Sequence, residues 1–202
     1  MSIKEVSTKF WRFLKEDSWQ SWLVSLVLII IFIKLIFFPA LTFVTGSPLP
    51  LVVVESCSLY HESGFDDWWG KNSAYYEGKG INKSQFMSFQ NKNGLNKGDI
   101  ILVTKPKQYN LGDIIIFQPN PESSAPYPII HRIITLDPRG TKGDHNSDQL
   151  KNGNNANKID ETNIPDDRII GKASVRLIPY LGWIKLIFFE PLKSTDQRGF
   201  CK

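Results

Sequence analysis

The sequence predicts a mainly β domain of short strands carried behind one N-terminal transmembrane helix. Three observations predict it: an uninterrupted apolar block near the N-terminus, a series of short β-branched runs after it, and Gly, Pro, Asn and Asp clusters between those runs. At 202 residues the chain holds one domain plus extras. The part after the apolar block is long enough to bury a core without staples.

The block Trp19 to Phe38 reads WQSWLVSLVLIIIFIKLIFF, the length that crosses a hydrocarbon core as a helix. Its one internal charge, Lys34, lies near the far end, where a long side chain snorkels to the interface. Trp19 and Trp22 mark the near interface, and Pro39 is expected to end or kink the helix. The run is too long for the apolar core of a cleaved signal peptide, and it lacks the polar stripe of a buried core helix. Lys4, Lys9, Arg12 and Lys15 precede it, and no Lys or Arg follows until Lys71. Positive charge stays inside, so the N-terminus is expected in the cytoplasm and the bulk of the chain outside it. The expected organisation is a cytoplasmic segment over 1–18, the span over 19–39, a β-rich domain over 40–192 and a tail over 193–202.

In the β-rich part, Pro48 to Val54, Ile100 to Thr104, Ile114 to Phe117, Ile129 to Thr135 and Ile169 to Leu177 read as strands. Gly98-Asp99 and Gly112-Asp113 are turns entering two of them. Residues 61–97 form an aromatic-rich insertion, with a short helix expected near Asn82 to Phe89. It is either substrate- or membrane-facing, or a structured loop packed on the sheet through Trp68, Trp69, Tyr75 and Tyr76, and the second is favoured. Gln149 to Asn163 is polar and Asn-rich, an exposed loop. Leu177 to Leu192 is apolar but broken by Pro179, Gly182 and Lys185, poor for a second crossing. It suits either an interfacial segment or a buried C-terminal element.

Composition excludes several classes. The net charge is +4, and no Lys/Arg cluster interleaves with aromatics, so nucleic acid is not an expected partner, whereas anionic lipid is. Two cysteines, Cys57 and Cys201, make neither a disulfide framework nor a zinc site. The three histidines, His61, His131 and His145, lie on dissimilar segments and form no ligand signature, so no metal or cofactor is expected.

The groups able to do chemistry are few. Ser56 and Ser58 directly follow a buried strand, a short distance from the membrane exit. A serine needs a base to become a nucleophile. His131 sits within an apolar strand, where its ring N–H needs a partner. His145 lies in Thr141-Lys142-Gly143-Asp144-His145-Asn146-Ser147-Asp148, which carries two carboxylates able to orient an imidazole. Serine, histidine and aspartate on separate segments follow the logic of a triad.

The order of segments is the specific signal. A membrane helix is followed by S-x-S-L, GDIILVT, GDIIIF, HRI, TKGDHN, and IIGKA with PYLGW. This order resembles the type I signal peptidases of archaea and the endoplasmic reticulum, from about residue 20 to 190, outside the 61–97 insertion. The resemblance implies a signal-peptidase-like domain of short antiparallel strands with Ser58 as nucleophile, His131 as base and Ser56 Oγ as an oxyanion donor beside the Ser58 N–H. It implies an aspartate as the third member, with Asp148 the better match and Asp144 the other candidate. Leu59 stands for the family's methionine, Cys57 for the glycine between the serines, and Tyr60-His61 where a proline is usual. The implied function is a membrane-bound serine endopeptidase that removes signal peptides from secretory preproteins, cutting after small residues by acyl-enzyme chemistry. Its implied partners are those signal peptides and the lipid bilayer; whether it works alone or with other membrane subunits or a translocon stays open. The alternative is a catalytically inactive membrane-anchored β-domain that serves as a binding module.

Overall fold

The computed structural model describes residues 2–202, the side chains of Ile3 and Asp196 excepted. The chain divides into two compact units, one through Val44 and one from Thr45. The first holds α1 (Ile3–Leu14) and nearly all of α2 (Trp19–Thr45). The Ser2 N–H donates to Glu5 Oε2 at the start of α1, which satisfies one helix-end donor. Ser18 Oγ accepts from the Ser21 N–H at the start of α2. None of the most apolar stretch of α2 is buried, and the helix is long and apolar enough to cross a membrane.

Pro39 neither ends this helix nor breaks it. The turn Ile33–Phe37 just before it is a π-helix, in which the Phe38 N–H reaches back to the Ile33 carbonyl. A wider turn shifts the hydrogen-bond register ahead of the residue that lacks an N–H, and the helix resumes through Thr45.

The second unit is mainly β. Six antiparallel strands lie in the order β1-β2-β6-β3-β4-β5. They are β1 (Leu51–Val53), β2 (Ile100–Thr104), β3 (Ile114–Phe117), β4 (Ile129–Leu136), β5 (Arg139–Lys142) and β6 (Ile169–Ile178). β3 explains its own composition: Ile114 and Ile116 enter one apolar cluster with Val54, Leu59, Ile101 and Val103, while Ile115 and Phe117 enter another with Ile133 and Ile169. A strand covered on both faces reads as a continuous apolar run. β5, with the sequence RGTK, has no such signature and is held by pairing with β4 on one side. On the other, residues 161–164 pair with it through the bonds from Thr141 N–H to the Glu161 carbonyl and from Ile164 N–H to the Arg139 carbonyl.

The aromatic insertion is packed, and it is helical rather than a loop. α3 (Phe65–Glu77) and α4 (Lys83–Met87) join Trp68, Trp69, Tyr76 and Phe86 into one buried cluster against Ile134 of β4. The C-terminal apolar segment forms α5 (Trp183–Phe189), which buries Leu186 and exposes Ile184, Ile187 and Phe188.

Candidate active site

Strand β1 ends at Val53, and the chain leaves the sheet through Val54, locked by its N–H to the Asp99 carbonyl and by the Gly98 N–H to its own carbonyl. Ser56 follows exposed and Ser58 half-buried, before Leu59 plunges into the core at zero exposure. The two hydroxyls are 3.1 Å apart. The Ser58 carbonyl accepts from the His145 N–H at 2.8 Å, which ties the serine segment to the turn after β5.

His131 stands in β4 opposite Ile115 of β3 and is buried. Its Nδ1 is 2.5 Å from Glu161 Oε2. A carboxylate only accepts, so Nδ1 carries the proton and Nε2 is left with its lone pair. Nε2 points toward Gly143. The position a Cβ would take on Gly143 lies 2.8 Å from His131 Nε2 and 2.8 Å from the Ser58 carbonyl oxygen. The absent side chain at Gly143 is therefore what lets the imidazole and the serine segment approach one another. Ser58 Oγ makes its hydrogen bond to Ser56, and none joins it to His131 among the described residues. A nucleophile–base bond requires Ser58 to exchange partners, a tightening commonly reserved for the substrate complex.

Glu161 is wholly buried and fully satisfied. Oε2 also accepts from Thr141 Oγ1 at 3.0 Å, and Oε1 accepts from the Leu150 N–H at 2.7 Å. The segment 149–163, expected to be an exposed loop, is exposed over 151–154 but returns this carboxylate to the interior. Neither aspartate of the Thr141–Asp148 block touches His131. Asp148 is half-exposed and bonded to the Tyr75 hydroxyl (3.0 Å) and Lys151 (3.4 Å). Asp144 is buried beneath the turn, where Arg132 Nε and Nη2, His61 Nε2 and the Tyr76 hydroxyl all donate to it. The carboxylate on His131 is that of Glu161, while Arg132, the neighbour of His131 in β4, points its guanidinium at Asp144.

Burial alone would raise the Asp144 carboxyl, but the Arg132 charge and the hydrogen bonds from His61 and Arg132 outweigh it and hold the group well below the usual range. Burial lowers His61, against the pull of Asp144. The geometry gives a reason: Nε2–H donates to Asp144, the ring stacks on Trp68 at 3.8 Å, and Nδ1 has no hydrogen-bond partner among the described residues. A second ring proton would be stranded there. Burial likewise lowers Lys142, whose ammonium lies over the rings of Tyr75 and Tyr76. His145 is exposed; its N–H holds the Ser58 carbonyl, and its ring lies 6.0 Å from that of Tyr60.

Cys57 and Cys201, two lone cysteines that the sequence does not declare as a pair, are joined by a disulfide with a Cα–Cα separation of 5.5 Å. No protein-family model matches the chain, and a search of curated proteins finds no match.

Proposed function

We propose that this chain is a membrane-anchored serine endopeptidase of the signal peptidase type, with Ser58 as nucleophile, His131 as general base and Glu161 as the acid that orients it. The observation that carries this reading is the Glu161–His131 pair, set with its free ring nitrogen beside the Ser58 segment at Gly143. His131 Nε2 takes the proton from Ser58 Oγ as the oxygen attacks the scissile carbonyl. The Ser56 hydroxyl and the Ser58 N–H receive the developing oxyanion. Glu161 stabilises the imidazolium, which returns its proton to the leaving amine, and water then releases the acyl-enzyme.

The substrate is a secretory preprotein held as an extended strand. Edge strand β1 supports this, because it runs directly into the serine segment and offers its outer edge for strand addition. Helix α2 supplies the anchor. The basic residues ahead of it favour a cytoplasmic N-terminus, and the Cys57–Cys201 disulfide suits a domain on the oxidising side. Exposed Ile178, Leu181, Ile184, Ile187 and Phe188 favour a domain that rests its C-terminal end in the bilayer interface.

The test is cleavage of a preprotein by the detergent-solubilised protein, with Ser58→Ala alongside. The expected result is a cut after a small residue by the wild type, unaffected by a chelator, and an inert variant. Equal cleavage by the two proteins would remove Ser58 from the chemistry, and no cleavage by either would leave a non-catalytic binding module.

A further inference from the structure

Cys57 lies between the two serines of the candidate site, and its partner Cys201 lies 144 residues away in the C-terminal tail. The tail is built into the domain by other means as well. Lys97, almost wholly buried, pairs with Glu190 at 2.7 Å and donates to the Gln197 carbonyl at 2.7 Å. The Gly199 N–H donates to Glu190 Oε2, and the Phe200 ring packs on Trp183 at 4.4 Å. The same C-terminal region also grips the residue before the serines: Lys193 Nζ donates to the Glu55 carbonyl at 2.9 Å, and Lys185 Nζ pairs with the Glu55 carboxylate at 2.8 Å.

The serine segment needs such support. Val54 is the last residue held to its sheet-side neighbours, and Leu59 is the next one buried in the core. Between them Ser56 is exposed, and the main chain is held by the Lys193 bond to the Glu55 carbonyl, the bond from His145 N–H to the Ser58 carbonyl and the turn from Tyr60 N–H to the Cys57 carbonyl. Cys57 and Cys201 are only partly buried, and a cavity of about 70 Å³ adjoins Cys201.

We propose that the C-terminal tail is a redox-sensitive strap which, through the Cys57–Cys201 bond, holds the Ser56–Ser58 segment in its working conformation. This rests on the serine-peptidase reading of the same site. With the bond closed, the Ser56 and Ser58 hydroxyls stay within 3.1 Å of each other. A dithiol reductant supplies two electrons and two protons; the sulfur–sulfur bond breaks, two thiols form, and the reductant closes to its own disulfide. The segment then loses its covalent tie at Cys57 and is left with the hydrogen bonds at Glu55, Cys57 and Ser58, so it fluctuates more widely, and turnover slows while β1 still binds substrate.

The experiment compares oxidised, dithiothreitol-reduced and reoxidised full-length protein, and Cys201→Ser, in detergent, with thiol titration on each and Ser58→Ala as the blank. The expected result is a kcat lower by about tenfold or more on reduction and in Cys201→Ser, with KM little changed and reoxidation restoring the wild type alone. Amide exchange over residues 55–59 is expected to quicken on reduction while that of β3 and β4 holds. An unchanged kcat in protein with both thiols titrated overturns the strap and leaves the peptidase reading standing. Loss of the folded circular dichroism signal together with activity overturns it too, in favour of a purely structural tie. If oxidised wild type and Ser58→Ala behave alike, the peptidase reading fails instead, and unchanged exchange over 55–59 then overturns the strap independently.

Discussion

A carboxylate at zero exposure must find donors for both oxygens, and Glu161 finds three in His131, Thr141 and the Leu150 N–H. Glu161→Gln keeps the shape but turns an amide toward His131 Nδ1, which favours the wrong imidazole tautomer. Peptidase activity is expected to fall by a factor on the order of 10⁴ with the fold intact. Asp148→Ala, which cuts half-exposed contacts to Tyr75 and Lys151 and a local bond from the Gln149 N–H, is expected to leave activity within about twofold. Asp144→Ala strands the buried Arg132 guanidinium and is expected to cost about 3–5 kcal/mol of stability. Cleavage assays and thermal unfolding of the three variants separate these roles, and a Glu161→Gln protein as active as wild type would refute the assignment. Ser58 and His131 are singled out by the order of segments and its family resemblance, and the structure sets the ring of His131 beside the Ser58 segment. Glu161 was not legible in the sequence: it lies 30 residues from His131 inside a polar, Asn-rich stretch that looks solvated, and only the pairing of 161–164 with β5 turns it inward.

Among the elements, β3 and β2 were legible because burial writes itself into apolar runs. β5 and α3 were not: RGTK has no apolar face to declare, and α3 sets its aromatics Phe65, Trp68, Trp69 and Tyr76 at helical spacing but separates them with Gly70, Asn72 and Ser73, poor helix formers that leave its stability to packing on β4. The turn after β5 nonetheless does the most for the site, since it brings the Gly143 gap, the His145 N–H and Asp144 to one place. Gly143→Ala is expected to drive its methyl against His131 Nε2, the Ser58 carbonyl and Asn146 Nδ2, each at 2.8 Å, two of them main-chain or strand-held atoms. Displacing these groups by a fraction of an ångström should lower kcat by about 10²-fold while leaving the unfolding midpoint close to wild type. Wild-type turnover in this variant would show that the imidazole and the serine segment do not need that gap.

For the whole molecule, the order of apolar helix and strands was readable from the sequence because it depends on local apolar pattern. The Cys57–Cys201 bond and the Arg132–Asp144–His61–Tyr76 network were not, since neither leaves a periodic trace. That network couples the fold to pH. His61 faces Asp144, Arg132, Lys142, Trp68 and Phe86, and burial holds it below its ordinary value, so it is neutral in the fold. In the unfolded chain a histidine titrates near pH ~6.5, and an aspartate near pH ~3.9. Both groups are depressed in the fold, so both contribute stability that is complete above those unfolded values and is lost as the pH falls through the folded ones. The thermal unfolding midpoint should therefore start to decline below about pH 6.5, where His61 contributes, and decline more steeply below about pH 4, where the deeply depressed Asp144 joins it. In His61→Phe the ring keeps its stacking on Trp68 but cannot take a proton. Its midpoint should start lower, for want of the hydrogen bond to Asp144, and stay flat between about pH 7 and pH 5. Parallel declines in the two proteins over that range would mean that His61 titrates alike in the folded and unfolded chain, and the buried network would then carry no part of the acid limb above pH ~4.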